Sequence, residues 1–117
     1  MWRACSPRMM RLAIKKGTAM HARVSRFQDD PSNLDEAERF AEEKIVPQAQ
    51  AQPGFLGLLS LIDRDSGVSL AITLWESEQA MRDSETAADQ LRDDSAAHTD
   101  AKITSVERYE VSIRVGV

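Results

Sequence analysis

An α+β fold with the element order βαββαβ is predicted by three features of this 117-residue chain. Two strongly apolar segments, 55–63 and 68–75, flank a short turn as the strands of a hairpin do. Two helix-length segments, each opened by a serine, lie before and after that hairpin. The chain closes on an alternating apolar and polar run. Four strands and two helices in this order give an antiparallel sheet with both helices on one face, the ferredoxin-like arrangement. With 42% apolar residues the chain has enough material for one core and too little for two.

Residues 1–19 hold Arg3, Arg8, Arg11, Lys15 and Lys16 with no acid, which leaves −9 on the rest of a chain whose net charge is −4. This basic stretch is expected to lie outside the folded domain of residues 20–117, as a disordered arm or as sequence preceding a native start at Met20. His21 to Gln28 follows as a short, partly polar strand. Asp29-Asp30-Pro31-Ser32-Asn33 turns into the first helix, with Ser32 as the expected cap and Asp35, Glu36 and Glu38 at its positive end. Leu34, Ala37, Phe40 or Ala41, Ile45 and Ala49 recur at helical spacing, Pro47 is expected to kink or end the helix, and Pro53-Gly54 closes it.

Arg64-Asp65-Ser66-Gly67 joins strands two and three, with Gly67 free to take a positive φ. Ser77 caps the second helix, which is expected to reach about Ala97 on a thin seam of Ala80, Met81, Ser84, Ala87, Ala88 and Leu91. Either that seam leaves a cavity or the helix packs flush on the sheet. The last strand is expected over 103–115, where Tyr109, Val111, Ile113 and Val115 alternate with polar residues.

Composition removes several function classes. Cys5 is the single cysteine, which rules out a disulfide framework and fits a reducing cytoplasm. No apolar run approaches the ~20 residues of a membrane-spanning helix. A domain at −9 repels nucleic acid, and no glycine-rich phosphate loop, metal-ligand spacing or nucleophile elbow appears. No cofactor is therefore expected.

Strand two is apolar on both sides, with Phe55, Leu59 and Leu61 expected to point one way and Leu56, Leu58 and Ile62 the other. Two helices cover only one side of a sheet. Leaving each large aliphatic side chain in water forfeits about 1.5–3 kcal/mol, so a second sheet in a twofold homodimer is the expected cover.

Pro53-Gly54-Phe55, the run from Ile72 through Trp75 to Ala80, and the closing Val106 to Val111 segment resemble the antibiotic biosynthesis monooxygenase family. The resemblance spans about residues 20–115. It implies a dimeric α/β barrel and, as activity, cofactor-independent oxidation by dioxygen of an electron-rich aromatic or quinol substrate. The alternative is a non-catalytic dimeric barrel that binds a small ligand. The haem-degrading branch of this superfamily is disfavoured. Its members carry an Asn on strand one and a Trp and a His nine and nineteen residues beyond the strand-three Trp, whereas counting from Trp75 reaches Ser84 and Asp94, and Asn33 stands at a helix start.

Five residues are the candidate site. His21, Tyr109 and His98 are the expected catalytic groups, because an imidazole or phenol can move or share a proton with a substrate oxygen. Arg23 and Trp75 are the expected substrate-binding groups, one for an oxyanion and one for stacking on a planar ring. Each has a plainer reading: Trp75 and Tyr109 as packing, His98 at a favourable helix C-terminus, and His21 and Arg23 at an exposed strand end.

Overall fold

The computed structural model describes residues 19–116, so the basic segment and Cys5 lie outside the described residues, Ala19 excepted. Four strands, β1 (His21–Gln28), β2 (Phe55–Ile62), β3 (Val68–Trp75) and β4 (Lys102–Glu110), form one sheet in the order β2-β3-β1-β4. Every neighbouring pair is antiparallel. The helical segments are α1 (Leu34–Phe40), α2 (Val46–Gln50), α3 (Glu78–Asp83) and α4 (Glu85–Thr99). The architecture is the α+β, ferredoxin-like βαββαβ fold.

Local chemistry moves several boundaries. Asp30, not Ser32, caps the first helical segment: its carboxylate accepts from the Ser32 backbone N–H at 2.9 Å and the Ser32 hydroxyl at 2.7 Å. Pro31 fixes a helical φ one residue before Ser32, so the cap falls on the residue ahead of the proline. Pro47 does not end the helix. A π-helical turn over Ala41–Ile45 precedes it, and Pro47 falls in the first turn of α2, where its missing N–H costs little.

The Ser77 hydroxyl accepts from the Ala80 N–H at 3.0 Å, and the helix it opens breaks at Ser84 into α3 and α4. β4 stops at Glu110 instead of reaching Val115. Its partner β1 begins at His21, opposite Glu110, and one last bond runs from Val111 N–H to the Met20 carbonyl at 2.8 Å.

A bulge between Phe55 and Gly57 sets the faces of β2. One extra residue reverses the alternation that follows it, so Phe55 shares a face with Leu58 and Ile62, and not with Leu59 and Leu61. Phe55 meets Trp75 edge-on, with ring centroids 5.8 Å apart. Gly54 (φ +82°) lets the start of β2 lie against α3, since a Cβ there would sit 2.4 Å from the Ala80 Cβ.

The helices cover Arg23, Ser25 and Phe27 of β1, Leu58 of β2, and Ala71, Thr73 and Trp75 of β3. The other face presents Leu59 and Leu61, at 46% and 48% exposure, beside Leu70, Ile72 and Leu74.

Candidate functional site

Strand alternation places Arg23 on the helix side of the sheet, two residues before Ser25, and there it is 2% exposed. A buried guanidinium must find partners, and the helix break at Ser84 supplies them. Arg23 Nη2 donates to the Met81 carbonyl at 2.7 Å and to Ser84 Oγ at 2.9 Å, and lies 3.1 Å from Glu85 Oε2. Its guanidinium carbon sits 5.4 Å from the Trp75 ring centroid, within cation–π range.

Glu85 also takes two bonds from Arg108, at 2.9 and 2.8 Å. Hydrogen bonding, from Arg108 first and Arg23 next, holds the Glu85 carboxyl down at about 2 despite partial burial. Burial lowers the Arg23 pKa from its ordinary value, against the pull of Glu85, and the charges of Arg92 and Arg108 add to that lowering.

Between sheet and helices lies a cleft of about 100 Å³. It exists because the helix break and α4 turn small residues inward: Ser84, Ala88 and Ser95 leave room that larger side chains would fill. Ile45, Val46, Ala49, Leu58 and Leu91 make its walls apolar. Arg23, Trp75 and Arg92 line it as well.

Arg92 pairs with Asp89 one turn back on α4, and its side chain is 11% exposed. Two buried donors among these residues, Arg23 Nε and Arg92 Nη1, have no hydrogen-bond partner.

Of the five candidate residues, the fold brings Arg23 and Trp75 together in the cleft. Trp75 is 2% exposed, and its indole N–H donates to Thr73 Oγ1 at 2.9 Å, so it packs the core while walling the site. His21 is anchored by a 2.9 Å contact from Nδ1 to the Ala19 carbonyl and borders a separate, open groove at the sheet end, with Glu78, Arg82 and Tyr109.

Register explains the placement of Tyr109. Arg108 pairs with Arg23 and Tyr109 with Ala22, so Tyr109 belongs to the face away from the helices. Its hydroxyl donates to Glu107 Oε1 at 2.7 Å, a bond that raises the phenol pKa above its ordinary value.

His98 lies outside the cleft. Its Nε2 is 2.6 Å from Glu36 Oε2 and its ring stacks on Phe40 at 4.1 Å, tying α4 to α1. Sequence reasoning passed over Arg92 and Glu85. The available signal was spacing: Ser84, Ala88, Arg92 and Ser95 fall on one helical face, and a single arginine among small residues marks a cavity edge.

No family model matches the chain. Two uncharacterized proteins of Mycobacterium tuberculosis are similar to it, one at 28% identity over 99 residues and one at 29% over 98, covering 85% and 84% of this chain. They are covered over 44% and 41% of their own lengths, so the chain spans less than half of the curated relatives it matches.

Among solved structures, a candidate antibiotic biosynthesis monooxygenase of Deinococcus radiodurans superposes with a TM-score of 0.64 at 15% identity, covering 83% of this chain and 97% of that one. SnoaB of Streptomyces nogalater, a cofactor-independent oxygenase, gives 0.61 at 16% identity over 85% and 99%. A haem-degrading protein of Mycobacterium tuberculosis gives 0.55 at 23% identity over 83% and 99%. The chain has the fold of the antibiotic biosynthesis monooxygenases.

Proposed function

We propose that this domain is a small cofactor-independent oxygenase acting on an electron-rich aromatic substrate. The observation that carries the reading is the apolar cleft walled by Trp75 and held open beside the buried Arg23. The fold shared with SnoaB, itself a cofactor-independent oxygenase, supports it.

In the reaction a ring C–H becomes a C=O. One atom of dioxygen enters the product, the other leaves as water with the two hydrogens lost by the substrate, and the substrate supplies all four electrons. The chain's part is to exclude water and stabilise the ionised substrate. About 100 Å³ is less than the ~150 Å³ of a cavity known to hold benzene. Even a single-ring substrate therefore needs the helices to give way slightly, and a larger one needs more.

The cleft also supports a second reading, a ligand-binding barrel without catalysis, because none of its described lining residues is a His, Tyr, Cys, Lys or carboxylate. A haem-degrading role is not supported by the site: Ser84 is occupied with Arg23 and Met81, Asp94 is exposed, and His98 is engaged with Glu36 and Phe40 outside the cleft.

The domain acts as a homodimer in which the leucine faces of two sheets cover each other, consistent with residence as a water-soluble protein in a reducing cytoplasm. Among the described residues no helix is long and apolar enough to cross a membrane.

Oxygen consumption with a panel of single-ring hydroquinones, in the presence of chelator, tests the enzyme reading. Turnover that persists without haem or flavin absorbance is expected. Its absence across the panel, with binding retained, selects the ligand-binding barrel.

A further inference from the structure

A cleft of about 100 Å³ does not admit a ring as it stands, so one of its walls has to yield. Its two helical walls are held in different ways. The wall built by the helix break and α4 is anchored to the sheet at both ends. Arg23 of β1 donates to the Met81 carbonyl and Ser84 Oγ and pairs with Glu85, and Arg108 of β4 reaches the same carboxylate. At the far end the Thr99 hydroxyl donates to Asp29 Oδ2 at 2.5 Å. Moving α4 breaks charge-assisted bonds, which are roughly twice as strong as neutral ones.

The opposite wall, residues 41–50, lacks such anchors. Among the described residues its side-chain hydrogen bonds stay within its own helical run, from Arg39 to Glu43, from Gln48 to the Lys44 carbonyl and from Gln52 to the Gln48 carbonyl. Ala49 is its one buried residue, and Ile45 and Val46 line the cleft while half-buried. Few buried contacts mark the segments of a fold that open at low cost.

The backbone of this wall is also irregular where it begins. Pro47 has no N–H to offer the Glu43 carbonyl, and a proline ring crowds the carbonyl four residues back. The turn ahead of it widens instead, so that the Val46 N–H donates to the Ala41 carbonyl five residues away. Single π turns inside helices are often found at functional sites. At its other end the segment runs into Pro53 and Gly54 (φ +82°). A second void, of about 60 Å³, shares Ala41, Ser60 and Ser95 with the cleft, so outward movement at Ala41 enlarges both spaces.

We infer that residues 41–50 are the lid of the cleft, swinging at the π turn over Ala41–Ile45 to admit a ring while α4 stays fixed to the sheet. This rests on the oxygenase reading only for the cleft as the ligand site.

The test is amide hydrogen exchange of the full-length chain, read on peptides covering 41–50 and 85–96, with toluene as the ring probe. Without toluene, 41–50 is expected to exchange at least roughly tenfold faster than 85–96. Saturating toluene is expected to slow 41–50 and leave 85–96 nearly unchanged. Pro47→Ala restores the missing donor at an exposed position, and is expected to slow exchange in 41–50 about threefold with the circular dichroism of the unaltered chain.

Exchange in 85–96 as fast as in 41–50, protection by toluene of neither segment or chiefly of 85–96, or a folded Pro47→Ala chain with unchanged exchange in 41–50 would each overturn the inference. Protection of 41–50 by toluene with no oxygen consumed on any hydroquinone would instead refute the oxygenase reading and leave the lid standing.

Discussion

Arg23, on the helix-covered face of the sheet, is 2% exposed, while leucines on the opposite face stand close to half exposed. The residue with the greatest need for water is the one denied it. A chain folding only for its own stability would bury Leu59 and expose Arg23, because an aliphatic side chain gains about 1.5–3 kcal/mol on burial and a charge loses more unless it is paired. The leucines of the open face are the surface the proposed dimer would cover, and Arg23 stays buried because Glu85, Ser84 and the Met81 carbonyl hold it.

Trp75→Ala should produce the largest effect, because this buried ring joins Phe55, Arg23 and the cleft wall. A loss of about 3–5 kcal/mol is expected, close to the whole stability of a small domain, and urea unfolding measures it. Trp75→Phe should cost much less and mainly alter ligand affinity. A small loss from the alanine variant would mean that the covered face is not organised around this residue.

Leu59→Lys addresses the open face. In a twofold dimer the substitution counts twice, each copy losing about 1.5–3 kcal/mol of burial and placing a charge at an apolar seam. Light scattering should show a dimer at micromolar concentration for the unaltered chain and a folded monomer for the variant. If the unaltered chain is itself a stable monomer, the partner for this face is not a second copy.

How far the sequence disclosed this contrast depended on the length scale of each signal. The order of the strands followed from period and punctuation, which act over a few residues. The doubly apolar β2 likewise marked a second apolar face, where Leu59 and Leu61 stand. The assignment of Phe55 to a face failed because a one-residue bulge leaves no mark in an apolar run, and β4 was read too long because its end is set by where β1 begins.

The site was half legible. Arg23 and Trp75 sit on strands, where alternation tells which side chains share a face. Arg92 does not stand out on a helix rich in charge, and the distance of His98 from the cleft depends on how α4 packs against α1, which no local pattern encodes.

Acid should separate the two faces by a smaller margin. Glu85 is held at about 2, below the 4.5 of an ordinary glutamate, so its stabilising bonds are complete above roughly pH 5 and fade as pH falls toward 2. The corresponding loss is about 1–3 kcal/mol. Glu85→Gln should flatten this part of the stability profile between pH 5 and pH 2. Leu59, Leu61, Leu70, Ile72 and Leu74 of the open face carry no titratable group, so contacts made through them should not track the same titration.

His98→Ala should have the smallest effect, and it bears on the comparison by showing what lies outside both faces. The imidazole stacks on Phe40 and contacts Glu36, whose carboxyl is held at about 2, by Arg39 first and His98 next. Both partners belong to α1, and His98 is not among the residues that line the cleft. Partly exposed contacts of this kind contribute little, so the melting temperature should shift by a few degrees at most, and any hydroquinone turnover should remain as in the unaltered chain. A residue that moves a proton in the slow step would instead cost about 10²–10⁴ in rate. A loss of that size in His98→Ala, without loss of fold, would relocate the chemistry from the arginine cleft to the helix surface.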